Sequence, residues 1–199
     1  MIDSEAIYRM AWLRAIQGFD REMPDEIFRQ FLGRNMPDSR DLLAKIYGAN
    51  FDVGGFLGAT GDISRQHIAT HGIPHKAGLA DLLDTLDSRR VQKGVATSTR
   101  REWALESLGP LAARFEVLTT GDEVARGKPA PDIFLLCADR LETPPHECLV
   151  LEDSEAGIRA AHAAGMPVIM VPDLVQPSEE IRALAWRVCG SLSDVVPLL

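Results

Sequence analysis

Three short segments of the chain combine hydroxyl, lysine and carboxylate side chains that together suit a phosphate and a divalent metal. Hydroxyls and the N–H groups at helix starts bind phosphate oxygens, and a lysine adds a point charge. Carboxylates bind Mg²⁺, which usually takes one or two of them together with phosphate and water. The segments are Thr97-Ser98-Thr99-Arg100, Gly127-Lys128-Pro129 and Glu152-Asp153-Ser154.

Each segment also has a plainer interpretation. Thr97 or Ser98 could cap a following helix, and Asp153 could be the N-cap of another. Lys128 could be a solvated lysine of a loop. The functional interpretation is favoured because the segments come after successive predicted strands. Ligands of an open parallel sheet bind at the carboxyl ends of its strands, so we expect the three segments to converge there.

The elements that must position these segments begin near residue 76. Short apolar runs alternate there with helical stretches over 101–108, 131–140 and 154–164. Strand–helix–strand alternation at this spacing predicts right-handed βαβ units and a parallel sheet. The predicted strands are Val91–Thr97, Phe115–Thr119, Cys148–Leu151 and Pro167–Val171.

Before residue 76 the pattern is helical throughout. Cap and breaker residues divide it into four helices. Asp3 or Ser4 caps the first, which runs to about Gln17; Pro24 begins the second; Asp38 or Ser39 opens the third, which reaches Tyr47; the fourth covers 55–70 and stops at Gly72. We therefore predict an α/β protein with a helical domain over 6–75 and an α/β domain over 76–199.

The composition excludes several classes of protein. Lysine and arginine number 21 against 29 aspartates and glutamates, a formal net charge of −8, whereas a nucleic-acid binder needs a basic surface. No run approaches the roughly 18 apolar residues of a membrane span, and the acidic N-terminal segment is unlike a secretory signal. Cys137, Cys148 and Cys189 lack Cys-x-x-Cys spacing, which predicts reduced thiols and a cytoplasmic location.

The same segments resemble the motifs of the haloacid dehalogenase superfamily of aspartyl-nucleophile phosphatases, in the branch of β-phosphoglucomutase and phosphoglycolate phosphatase. Residues 95–99 are similar to the second motif, 127–132 to the third, 149–157 to the fourth, and 2–5 to the end of the first. In this resemblance residues 6–75 correspond to the family's helical cap and 76–199 to its Rossmann-like core, while 1–5 are what remains of the first core motif.

The resemblance implies a Mg²⁺-dependent phosphoric monoester hydrolase or phosphomutase that acts on a small phosphorylated metabolite. It implies catalytic roles for Thr97 and Lys128, and Mg²⁺ coordination by Asp153 with support from Glu152. The residues that it implies for phosphate and substrate binding are Thr97, Ser98, Thr99, Lys128 and Arg34.

The printed sequence begins inside the first motif of that family. The family's nucleophilic aspartate, the acid/base aspartate two residues later and the strand that carries them would precede Met1, so we expect this chain to be inactive as it stands. A misassigned start codon and a shortened chain both account for this. A pseudoenzyme does so too, and the alternative function is then a non-catalytic binding or interaction protein on the same fold.

The family's strand order is 3-2-1-4-5, so the strand before Met1 would be central. It would separate Val91–Thr97 from Cys148–Leu151. Buried backbone groups without partners cost about 1–3 kcal/mol each. Three outcomes are therefore open: these two strands pair directly, a segment of another chain fills the slot by strand addition, or the chain is poorly stable. We favour the first two over an open gap.

Overall fold

The computed structural model describes residues 5–31, 36–173 and 176–199, with the side chains of all but Glu5, Met36 and Pro37. Contacts within the chain divide it between Pro74 and His75 into two compact units. No helix in these ranges is both long and apolar enough to cross a membrane. The α/β class and the parallel pairing of the strands are confirmed.

The unit before His75 is built of helices around an aromatic core. Phe56 is fully buried and contacts the Trp12 ring edge-on, with centroids 5.2 Å apart. The Asp52 carboxylate caps the last helix by accepting from the Gly55 N–H at 2.8 Å. The helices are α1 (Glu5–Gln17), α2 (Asp25–Phe28), α3 (Met36–Tyr47) and α4 (Val53–His71), with a 3-10 turn over Arg29–Phe31.

The start of α3 differs from the prediction. Neither Asp38 nor Ser39 opens this helix, because it begins at Met36 and both lie inside it. A proline is tolerated in the first helical turn, where its missing N–H has no intrahelical partner to lose, so Pro37 does not delay the start. The predicted caps of α1, Asp3 and Ser4, lie outside the described residues.

The unit from His75 onward alternates helices with short strands. Each of the four predicted strands is present, with ends shifted by up to three residues, and β5, α5 and α9 are additional. The helices are α5 (Leu79–Ser88), α6 (Arg101–Leu108), α7 (Asp132–Arg140), α8 (Glu155–Ala163) and α9 (Glu179–Leu184). The strands are β1 (Gly94–Thr97), β2 (Val117–Thr120), β3 (Val150–Glu152), β4 (Val168–Met170) and β5 (Arg187–Val188).

The strands form two parallel sheets, β1-β2 and β3-β4-β5. Helices α7 and α8 share one apolar core, in which Ile158 is fully buried and Val150 and partly buried Ala96 take part. Helix α7 lies very close to β1, since a Cβ on Gly94 would stand 2.6 Å from Cys137 Sγ. This core holds the carboxyl ends of β1 and β3 near each other.

The expectation that the strands now called β1 and β3 pair directly is wrong for the described residues. Lys93 O accepts from Glu116 N at 2.9 Å, so alternate residues of β1 face β2 and the Ala96 carbonyl faces the opposite edge. That carbonyl accepts from Lys128 Nζ at 3.2 Å. The Lys128 ammonium thus lies beside the Ala96 carbonyl, where an N–H of β3 would have to lie if the two strands paired. Strand addition by another chain stays a prediction.

Candidate functional site

The candidate site lies at the carboxyl ends of β1, β3 and β4. Strand β1 ends at Thr97, β3 at Glu152 and β4 at Met170. The polar residues that follow are therefore placed on one side of their sheets by the parallel strand direction. Two of the segments singled out in the sequence occupy such positions, and the third supplies Lys128 from the loop before α7.

The turn after β1 is shaped by backbone contacts. Thr99 N donates to Thr97 Oγ1 at 3.2 Å, and Thr99 O accepts from Gly121 N at 3.0 Å. A Cβ on Gly121 would overlap the Ser98 carbonyl, so only glycine allows the β2 loop to approach this turn. Helix α6 has Arg100 at its N-cap and no side-chain cap. Neither Thr97 nor Ser98 therefore has the capping role that was their plainer interpretation.

Lys128 is a largely buried charge with protein partners on three sides. Only 9% of its side-chain surface is exposed, and its Nζ lies 3.3 Å from Glu152 Oε2. The same atom donates to the Ala96 carbonyl and lies 4.7 Å from the centroid of the Phe134 ring. A buried ammonium needs such partners, because desolvation is costly. Lys128 is thus fixed in place and is not a solvated loop lysine.

The loop that carries Lys128 is tied to the start of α7. The Arg126 guanidinium donates two hydrogen bonds of 3.0 Å to the Asp132 carboxylate. The hydrogen bond from Arg126 is the main reason why the pKa of Asp132 lies below its ordinary value. A turn hydrogen bond from Ala130 N to Gly127 O, also 3.0 Å, closes the loop around Lys128.

Glu152 is nearly as buried as its lysine partner, with 12% of its side-chain surface exposed. Its Oε1 accepts a short hydrogen bond of 2.6 Å from Ser154 Oγ, while Oε2 faces Lys128. Ser154 Oγ also accepts from Gly157 N at 3.1 Å, which makes Ser154 the N-cap of α8. Asp153 is therefore not the cap of α8.

The Asp153 carboxylate shares a cation with a second carboxylate. Lys76 Nζ lies 3.5 Å from Asp153 Oδ2 and 2.9 Å from Asp173 Oδ2. Burial acts to lower the pKa of Lys76, but the hydrogen bond to Asp173 and the charges of both carboxylates outweigh it, so the pKa is raised. Two carboxylate groups therefore converge on a single positive charge beside the end of β3.

Sequence reasoning missed both Lys76 and Asp173. Asp173 follows β4, so the rule that selected residues after the other strands would have found it. Lys76 carries no comparable signal, because its place depends on how the segment before α5 packs. Arg34 lies outside the described residues, as does the first-motif remnant before Glu5.

The donor set at this edge fits Mg²⁺. Over 5–31, 36–173 and 176–199, no three or more His, Cys, Asp or Glu side chains gather as a metal cluster. Mg²⁺ does not need such a cluster, since it is commonly held by one or two carboxylates with water and substrate phosphate. Asp153 offers such a carboxylate, and the Lys76 ammonium 3.5 Å from its Oδ2 shows that a cation can approach it.

Known proteins are similar to this chain in sequence. A sequence model of the family described as haloacid dehalogenase-like hydrolase matches residues 1–171. The chain is 30% identical over 202 residues to Protein CbbY of Rhodobacter capsulatus, covering 94% of this chain and 88% of that protein. It is 27% identical over 168 residues to the phosphorylated carbohydrates phosphatase of Thermotoga maritima, covering 83% and 77%.

Solved structures of other proteins share the fold of this chain. The crystal structure of CbbY from Rhodobacter sphaeroides in complex with phosphate matches with a TM-score of 0.80 at 25% identity, covering 98% of this chain and 91% of that one. The β-phosphoglucomutase of Clostridium difficile shares the fold, with a TM-score of 0.75 at 20% identity and coverage of 97% and 87%.

Proposed function

Since the chain belongs to the haloacid dehalogenase-like hydrolase family, we propose that it is a Mg²⁺-dependent phosphatase or phosphomutase of a small phosphorylated metabolite. The observation that carries the proposal is the buried Lys128 ammonium, held between the Ala96 carbonyl and the Glu152 carboxylate at the end of the strands. A positive charge that is already desolvated and oriented acts strongly on an incoming phosphate.

Each residue at this edge has its own role in the proposed function. Lys128 contacts the phosphoryl oxygens, and Glu152 holds the ammonium in position. The Thr97 hydroxyl and the N–H groups of the turn after β1 donate to the same oxygens. Asp153 holds Mg²⁺ with support from Glu152, and the metal when bound supplies neutralisation of charge on the phosphoryl group.

The proposed substrates are phosphorylated carbohydrates. One relative is named a phosphorylated carbohydrates phosphatase, and a CbbY structure contains xylulose-1,5-bisphosphate. The likeness to these proteins extends over most of each chain, which supports a common substrate class. Three free cysteines, of which Cys137 and Cys189 are buried, support a location in the reducing cytoplasm.

A binding measurement tests this proposal. Since we predict that this chain turns over little substrate, the assay measures affinity instead of activity. Inorganic phosphate is titrated calorimetrically with MgCl₂ present. Lys128→Ala should weaken phosphate binding about ten- to a hundredfold, the range expected for a lost hydrogen bond to a charged group. Lys45→Ala is the matched control, because it removes an exposed lysine from α3 and should change nothing.

Lys128→Met retains more of the buried stem and serves as a second variant if Lys128→Ala fails to fold, with circular dichroism as the check. Phosphate binding by a folded Lys128 variant at the unaltered chain's affinity would overturn the proposal.

A further inference from the structure

Lys76 brings a positive charge to the carboxylate that we propose for the metal. It lies in the segment between the unit boundary at Pro74 and α5, and only 15% of its side-chain surface is exposed. Asp153 directly follows β3, and Asp173 follows β4. Three separate segments of the chain thus place two carboxylates around one ammonium group.

The two contacts of Lys76 are unequal. Its Nζ lies 2.9 Å from Asp173 and 3.5 Å from Asp153, so Asp173 is the closer partner. Asp153 is also the more exposed of the carboxylates, with 46% of its side-chain surface open against 30% for Asp173. A cation from solvent therefore reaches Asp153 more easily, and the weaker Lys76 contact is the one that it would break.

A divalent cation and the ammonium compete for the same oxygen. Mg²⁺ binds carboxylate oxygens at about 2.0–2.1 Å, while Lys76 Nζ already lies 3.5 Å from Asp153 Oδ2. Like charges held a few ångströms apart in a partly buried place repel strongly. Lys76 must therefore move away from Asp153 when the metal arrives, and Asp173 offers a place to which it can move.

We propose that Lys76 is a built-in competitor of the divalent cation at Asp153, and that Asp173 is the carboxylate that retains its ammonium when the cation binds. This inference rests on the proposed function, since it assumes that Asp153 holds the metal. In the metal-free protein the Lys76 ammonium neutralises the Asp153 carboxylate. This competition raises the metal concentration that is needed to fill the site.

The test measures metal affinity without turnover, by titrating Mn²⁺ and following free Mn²⁺ by electron paramagnetic resonance, with Mg²⁺ as a displacing ion. Lys76→Met should bind Mn²⁺ about three- to fivefold more tightly, the size of one charge pair at a partly exposed site. Lys45→Met removes the same charge from α3 and should leave the affinity unchanged. Asp153→Asn added to Lys76→Met should abolish the binding, which assigns it to this site.

Asp173 is tested by a double-mutant comparison. Asp173→Asn should weaken Mn²⁺ binding when Lys76 is present, because the ammonium then pairs with Asp153 alone. In the Lys76→Met background the same substitution should have little effect. An equal weakening in both backgrounds would make Asp173 a metal ligand and overturn its role as the retaining carboxylate.

Failure of the competitor role and failure of the proposed function give different results. Equal Mn²⁺ affinity in Lys76→Met and the unaltered chain overturns the competitor role but leaves the proposed function intact. Mn²⁺ binding that is undetectable in every variant removes the metal site, and with it both the competitor role and the metal part of the proposed function. Thermal denaturation checks folding, and Lys76→Gln replaces Lys76→Met if that variant is unstable.

Discussion

Glu152 is held by contacts on three sides. Ser154 Oγ donates to one carboxylate oxygen and Lys128 Nζ to the other. The third contact is with the backbone of Gly157 in the first turn of α8, where an added Cβ would overlap Glu152 Oε1. The glycine thus provides the space that lets Glu152 reach Lys128, although glycine is a poor helix former.

We expect Gly157→Ala to weaken phosphate binding by at least about tenfold, because Glu152 must move and Lys128 then loses a charged partner. The matched control is Gly58→Ala in α4, where the added methyl group meets nothing within 4 Å. That change should stabilise the protein by about 0.5–1 kcal/mol. Calorimetric titration and thermal denaturation of both variants check this; unaltered phosphate affinity in Gly157→Ala would show that the fit around Glu152 is not needed.

Lys76 shows where sequence reasoning ends at the scale of single residues. The motif segments were predictable because each follows a strand, and the chain direction then fixes the sheet edge. The ion pairs from Lys76 to Asp153 and Asp173 join residues far apart in sequence. No local pattern encodes such a contact.

At the scale of elements, Glu123 joins β2 to α7. Its Oε2 accepts from the Thr120 N–H and hydroxyl at 2.8 and 2.9 Å, and its Oε1 accepts from Arg140 at 2.9 Å. The Arg140 hydrogen bond, together with those from Thr120, lowers the pKa of Glu123 from 4.5 to about 2. One carboxylate thus fixes the end of a strand to the end of a helix.

A lowered pKa means that ionised Glu123 stabilises the folded state above its unfolded-state pKa. That contribution is fully present above about pH 4.5 and is lost as the pH falls toward 2, because the folded carboxylate must then be protonated. Glu123→Gln should lower stability at neutral pH and flatten its pH dependence between 4.5 and 2. Urea denaturation across this range measures the difference; parallel pH profiles for the two proteins would contradict it.

The elements themselves were predictable to different degrees. The four predicted strands were found because their apolar runs are bounded by polar turns. Strand β5 was missed, since two residues, Arg187 and Val188, make no pattern. Helix α5 was missed although its leucines recur at helical spacing, at 79, 82, 83 and 86. Direct pairing of β1 with β3 was wrong, and the partner that the Ala96 carbonyl has instead, the Lys128 ammonium, is not apparent from hydrogen-bonding demand alone.

At the scale of the whole molecule, each compact unit has a core of its own. The aromatic cluster around Phe56 belongs entirely to the helical unit. Two further clusters, one around Ile158 and one around Leu82, belong to the α/β unit. Because the cores are separate, we expect a substitution in one core to destabilise mainly the unit that contains it.

Phe56→Ala should destabilise the helical unit by about 3–5 kcal/mol, as for other buried phenylalanines. Hydrogen exchange measured by mass spectrometry should then speed up in α1 and α4 while β3 and α8 stay protected. Ile158→Ala is the matched variant and should give the reverse pattern. Equal acceleration in both units after either change would mean that the chain unfolds as one body.

The close approach of α7 to β1 has a consequence for how this sequence can vary. Gly94 leaves room for the Cys137 sulfur where a methyl group would stand only 2.6 Å away. A densely packed interior does not absorb an added carbon without losing volume nearby. A side chain at 94 therefore requires the Cys137 sulfur to shift or a smaller residue to stand at 137, so we expect the residue types at these two positions to depend on each other.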